Sequence, residues 1–145
     1  MKLLMIFCDK FGYRTSRKGL DTAPSIDESR TIGDALVGFI HVERQDESDP
    51  GYVETKLVKN LKWAARKNDS QRVVLHSFTH LADGKASPET TKDILDRTQA
   101  RLVKAGYEVC QTPFGYFLDL HIEAPGSPLT RLFKDICPSA EADLQ

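Results

Sequence analysis

The opening stretch limits what this chain can fold into more than any other. Lys2 to Cys8 is a near-continuous apolar run, ended at once by Asp9 and Lys10. An uninterrupted run of this kind is the signature of a β-strand covered on both faces. It falls well short of the ~18 apolar residues that a membrane helix needs. It also lacks the small-residue cleavage site of a secretory leader. Asp34 to Glu43 (DALVGFIHVE) is a second such run, and Gly38 inside it predicts a bulge or a close backbone approach.

The remaining pattern alternates helix and strand. Residues 14–30 are polar and read as a hairpin arm or loop, and Gln45 to Gly51 is turn chemistry. From Tyr52, Val53, Leu57, Leu61 and Ala64 or Ala65 recur at helical spacing, and Asn68 to Ser70 stop the helix. Gln71 to His76 is a short strand leading into a loop. Ser87 before Pro88 is an N-cap with proline at the first helical position. The helix it opens carries Ile94, Leu95, Thr98, Leu102 and Ala105 on one side, with Gly106 as a left-handed cap. Tyr107 to Gln111 and Tyr116 to Glu123 are two further strands, and Gly126-Ser127-Pro128 predicts a last short helix to about Lys134. The expected fold is α/β: one domain, a mixed β-sheet with a barrel-like core packed with helices. Its span is 1–137, with 138–145 as the start of a linker or tail. At 145 residues, 40% apolar and 28% charged, the composition is that of one globular domain.

Twenty Lys and Arg against twenty-one Asp and Glu give a net charge of −1, which excludes whole-protein attraction to nucleic acid but not a local basic face. Such a face is visible at Lys56, Lys59, Lys62 and Arg66-Lys67, an acid-free stretch whose spacing lays the cations along one helix side. A solvated face is the simpler account; a ridge contacting RNA phosphates is the functional one. Arg14, Arg17 and Lys18 form a smaller cluster. Phosphate-binding, dinucleotide-binding, zincin and serine-hydrolase motifs are all missing. His76 and His80 stand four residues apart, as a metal pair would, but no third ligand is evident. No metal is therefore expected, and the favoured account is a structural His76 with a pocket-lining His80. Cys8, Cys110 and Cys137 form neither a disulfide framework nor a zinc ribbon, and are expected to be small buried hydrophobes in a reducing cytoplasm. Phe114, Tyr116 and Phe117 read, by themselves, as core.

Several ordered segments together carry a resemblance. They are Cys8-Asp9 with Tyr13, Leu36 to Glu43, His80-Leu81, Lys85-Ala86-Ser87-Pro88, Asp93-Ile94-Leu95, Pro113-Phe114-Gly115-Tyr116-Phe117 and Gly126-x-Pro128-Leu129. In that order and spacing the chain resembles, over nearly its whole length, the N-terminal editing domain of archaeal threonyl-tRNA synthetases, of D-aminoacyl-tRNA deacylase-like fold.

The resemblance implies proofreading hydrolysis of mischarged L-seryl-tRNA(Thr), releasing serine, in the cytoplasm and with no cofactor. It implies a pocket built from Val42, Ser77, Phe78, Thr79, His80, Phe114, Tyr116, Phe117 and Leu118, in which Thr79 and His80 position substrate and water. Lys56, Lys59, Lys62 and Arg66 would meet the tRNA backbone. The implied partners are tRNA(Thr), a second copy in a homodimer, and the remaining synthetase domains or a separate threonyl-tRNA synthetase. The chain departs from the family where a lysine is familiar (Leu118), where a tyrosine is familiar (Phe117) and where a glutamate is expected (Arg131). Leucine and phenylalanine cannot move protons. Backbone donors and the terminal 2′-hydroxyl of the RNA are thus expected to supply the electrostatics. The alternatives are a D-aminoacyl-tRNA deacylase and a non-catalytic tRNA-binding or dimerisation module.

Overall fold

The computed structural model describes residues 1–138. Apart from Pro138, the expected linker therefore lies outside the described residues. The apolar runs do form the centre of a six-stranded mixed sheet. Strand β1 (Lys2–Lys18) pairs antiparallel with β2 (Ser29–His41), from Lys2 opposite His41 to Arg14 opposite Ser29. Strand β3 (Arg72–Ser77) runs parallel to β2, and β4 (Glu108–Gln111) parallel to β3. The other edge of β1 takes β5 (Tyr116–Glu123) along its second half and β6 (Arg131–Asp135) along its first. The path is β4-β3-β2-β1-β5, with β6 beside β1. Residues 14–18 and 29–30 are thus hairpin arm, and only 19–28 is loop.

Helix α1 (Pro50–Lys67) is capped by Asp49, whose carboxylate accepts from the Tyr52 amide at 3.2 Å. It buries Val53, Leu57, Leu61, Ala64 and Ala65, the expected stripe. Helix α2 (Pro88–Lys104) is capped by Ser87, whose hydroxyl accepts from the Thr90 amide at 3.2 Å, and Gly106 follows it at φ +97°. Its stripe ends at Leu102; Ala105 is the exposed C-cap. Both helices share a core with Leu3, Met5, Leu36, Ile40, Val73 and Leu75. Gly38 is a close-approach glycine: a Cβ there would stand 3.0 Å from Leu61 Cδ2, and the β1–β2 register runs past it without a bulge.

The opposite face holds a second cluster of Cys8, Phe11, Tyr13, Ala35, Val37, Phe39 and Val74. Even-numbered Cys8 shares this face with odd-numbered Phe11 and Tyr13, so the alternation slips once between them. Asp34, a non-glycine at φ +49°, marks the slip on β2. A left-handed residue inside a strand sharpens its coiling, and the far half of the β1–β2 ribbon curls into a half-barrel around this second core.

Two expectations are corrected. The segment from Gly126 to Lys134 is no helix: a three-residue 3₁₀ turn, Pro128–Thr130, leads into β6. The Thr130 hydroxyl closes the turn by donating to Pro125 O at 2.7 Å. The unpaired edge of β1 then captures the chain, since an unsatisfied ladder costs more than a weak helical propensity offers. Nor are all cysteines buried. Cys8 is, and burial pushes its thiol up to about 11, but Cys110 is half-buried and Cys137 exposed.

Candidate active site

The parallel strands β2 and β3 end at the same level, and the chain beyond β3 forms the first wall of a pocket. Phe78 N donates to Ile40 O at 2.9 Å, extending the ladder one residue past Ser77. The loop through Thr79 and His80 then turns back and is tied down by β2. Ala86 N donates to Val42 O at 3.0 Å. The buried His41 ring holds the middle: Nδ1 accepts from Leu81 N at 3.1 Å, while Nε2 stands 2.7 Å from Gly84 O. The tautomer protonated on Nε2 satisfies both contacts. Sequence reasoning missed His41 as a site-building residue; its signal was a histidine within the apolar run LVGFIHVE.

The second wall is the turn into β5. Gly115, at φ +81°, presents its carbonyl to Gly19 N at 2.6 Å and Leu20 N at 3.1 Å. The Tyr116 hydroxyl donates to Pro24 O at 2.6 Å and accepts from Ile26 N at 2.8 Å. Tyr116 thus fastens the 19–28 loop with its polar end while its body lines the pocket. Pro88 and Thr91 of α2 close the third side. Between the walls lies a cavity of about 130 Å³, several times the space one ordered water needs. It opens beside a groove of about 770 Å³ between the 19–28 loop and α2 and β4; Leu20, Pro88, Pro113 and Phe114 border both.

Of the residues expected in the site, Ser77, Thr79, His80, Phe114, Tyr116 and Phe117 line this one pocket. Phe117 is 51% exposed and Tyr116 is only half-buried, so the core reading of these two is corrected; Phe114, also half-buried, packs against the helical core as well as lining the pocket. Val42, Phe78 and Leu118 do not line it. Val42 is buried in the helical core and contributes only its carbonyl. Phe78 supports His80 from behind, with ring centroids 4.9 Å apart and nearly perpendicular. Leu118 packs against the second core and pairs with Thr15. Arg131 starts β6 opposite Ile6, away from the pocket. Lining residues not expected in the pocket include Gly19, Leu20, Lys85 and Thr91.

Below the pocket, His76 is 5% exposed and stacks edge-on against Phe39 at 5.3 Å, and its Nδ1 lies 2.9 Å from Thr112 Oγ1. Burial, with His80 nearby, pushes its imidazole down to about 4. His76 is therefore a neutral structural histidine under a pocket-lining His80, as expected. Among the described residues no three His, Cys, Asp or Glu side chains converge as a metal set. The basic residues Lys56, Lys59, Lys62 and Arg66 all lie on α1, and none of them lines the pocket.

Residues 1–136 match the family described as the archaea-specific editing domain of threonyl-tRNA synthetase. A threonine–tRNA ligase of Thermofilum pendens is 36% identical over 140 residues, covering 95% of this chain and 23% of that protein. One of Thermococcus kodakarensis is 33% identical over 141 residues, covering 95% and 22%. The chain thus spans less than a quarter of the length of these relatives. A solved structure, the c-Myc DNA Unwinding Element Binding Protein, superposes with a TM-score of 0.65 at 12% identity, covering 94% of this chain and 99% of that one. That likeness speaks for the fold, which is D-aminoacyl-tRNA deacylase-like. No helix among the described residues is long and apolar enough to cross a membrane. With the match running through every described strand and both helices, the chain belongs to the archaea-specific editing-domain family of threonyl-tRNA synthetase.

Proposed function

We propose that this chain is an aminoacyl-tRNA deacylase that hydrolyses the ester of mischarged L-seryl-tRNA(Thr). The observation that carries the reading is the small pocket at the ends of β2 and β3, lined by Thr79, His80 and Phe117, in a member of an editing-domain family. A synthetic site for threonine rejects serine poorly, because one missing methyl is worth only ~1–3 kcal/mol. A second site hostile to the extra methyl corrects the error. The aminoacyl group enters the pocket, and the adjoining groove receives the terminal adenosine.

Few side chains there can transfer a proton. Phe117 cannot, Leu118 lies off the lining, and the Tyr116 hydroxyl is engaged with the 19–28 loop. Thr79 and His80 orient the ester and a water. That water attacks the ester carbonyl, assisted by main-chain donors of the two wall loops and by the adenosine 2′-hydroxyl. The bond from the carbonyl carbon to the ribose oxygen then breaks; serine leaves with the hydroxyl of water, and the ribose oxygen takes up its proton. tRNA(Thr), a second copy of the chain, and the remaining synthetase domains or a separate threonyl-tRNA synthetase are the partners in this proposal.

A deacylation time course on seryl- and threonyl-tRNA(Thr) tests it: serine is released and threonine spared. Binding of both without release of either refutes the enzyme reading in favour of a non-catalytic module. The assignment of roles fails if His80→Ala abolishes hydrolysis as thoroughly as replacing the RNA 2′-hydroxyl by hydrogen.

A further inference from the structure

We propose that the concavity between α1 and β6 is an RNA-docking surface in which Trp63 stacks a nucleobase and Lys56, Lys59 and Lys134 hold phosphates. This rests on the reading that the chain acts on an aminoacyl-tRNA, but it uses a surface that shares no residue with the pocket.

The basic helix stretch alone is compatible with an ordinary solvated face. The fold adds three observations. First, β6 brings Lys134 to the helix cations, so that Lys56, Lys59, Asn60, Trp63 and Lys134 line one depression of about 290 Å³. The cationic surface is therefore concave and built from two elements. Second, its charges are not neutralised within the molecule. Lys56, Lys59, Lys62, Arg66, Lys67 and Lys134 are in no ion pair among the described residues. Arg14, Arg72, Lys92, Arg97 and Arg101 each meet a carboxylate. The one acid of α1, Glu54, is committed to Arg101 at 3.0 Å. Of the twenty Lys and Arg, fourteen make no ion pair among the described residues, and seven of those fourteen, Arg131 included, lie on α1 and β6. Third, Trp63 stands 39% exposed amid these cations, with Lys67 Nζ 5.7 Å from its ring centre. Trp63 is one of several exposed large hydrophobics, but it alone lines this cationic depression, and cations around a flat aromatic are what an RNA strand engages through phosphate and base. An acidic peptide would satisfy the lysines and leave the indole without a stacking partner.

The test is equilibrium binding of uncharged tRNA(Thr) transcript across a salt series. The same proteins are assayed for hydrolysis of a 3′-O-seryl adenosine ester, which is too short to reach this surface. Replacing Lys59 and Lys134 together by Ala lowers the steepness of log K against log salt by about 1.5, at ~0.7–0.9 per lost phosphate contact. Trp63→Ala weakens binding roughly 5- to 150-fold without changing that slope, and Trp63→Tyr restores most of it. Hydrolysis of the short ester and the melting temperature stay at wild type in all three. Wild-type affinity and slope in the variants overturn the proposal, as does displacement of the tRNA by polyglutamate at matched charge. If the unaltered chain binds tRNA but releases serine from neither substrate, the deacylase reading fails and the surface stands. If it hydrolyses both while the variants bind tRNA normally, the surface alone fails.

Discussion

Acidification tests the floor of the pocket through His76. The folded imidazole stays neutral down to about pH 4 because burial, and secondarily His80, disfavours its charged form. An unfolded histidine takes up its proton near the ordinary value of 6.5. Between these values the unfolded state binds more protons than the folded state, so stability rises with pH across the window and falls on acidification. The full effect is about 3.4 kcal/mol, at 1.36 kcal/mol per unit. More than half of it is lost by pH 5: from pH 7 to pH 5 the loss is about 2 kcal/mol. At ~2–4 °C per kcal/mol for a domain of this size, that lowers Tm by about 4–8 °C. Burial also pushes the Asp46 carboxyl up, so acidification acts on more than one group. The measurement is therefore a difference: urea unfolding at pH 7 and pH 5 for the native chain and for His76→Gln, which keeps a hydrogen-bonding group beside Thr112 but cannot titrate. The variant is expected to lose about 2 kcal/mol less over the interval. Equal losses in the two proteins would show that the folded His76 is not held neutral, and the account of a dry, structural histidine beneath the site would be wrong.

Three further outcomes follow from particular contacts. Gly115→Ala places a side chain at φ +81° with its Cβ 3.2 Å from both Ala23 and Leu20, so stability falls by about 1–3 kcal/mol and the 19–28 loop becomes more sensitive to protease. Gly38→Val drives a branched side chain against the buried Leu61, costing about 2–3 kcal/mol, readable as a lower urea midpoint at unchanged m-value. Leu118→Lys restores the lysine familiar in the family at a position off the pocket lining; kcat on seryl-tRNA(Thr) is expected to change less than about threefold, and a gain of two orders of magnitude would show that the wild-type pocket lacks a catalytic ammonium.

Much of this protein was legible in its residue pattern because the signals were local. Two apolar runs, two capped amphipathic helices and the turn residues between them required a mixed, helix-covered sheet, and the order of short motifs pointed to the family and to half of the pocket wall. The last segment was misread because Ser127-Pro128 opens a helix and a 3₁₀ turn equally well; only the unpaired edge of β1, more than a hundred residues earlier in sequence, settled it as strand. The pocket itself depended on separations of that kind. His41 anchors a loop some 40 residues on, and Gly115 holds Gly19. Phe117 and His80 meet in one pocket from different walls, and nothing in the composition announces the left-handed Asp34 on β2. Local periodicity and capping chemistry act over a few residues and can be read in order along the chain. Which walls face each other, which of the expected residues line the cavity, and which lysine joins a helix face are set by long-range pairing, and only the folded sheet decided them.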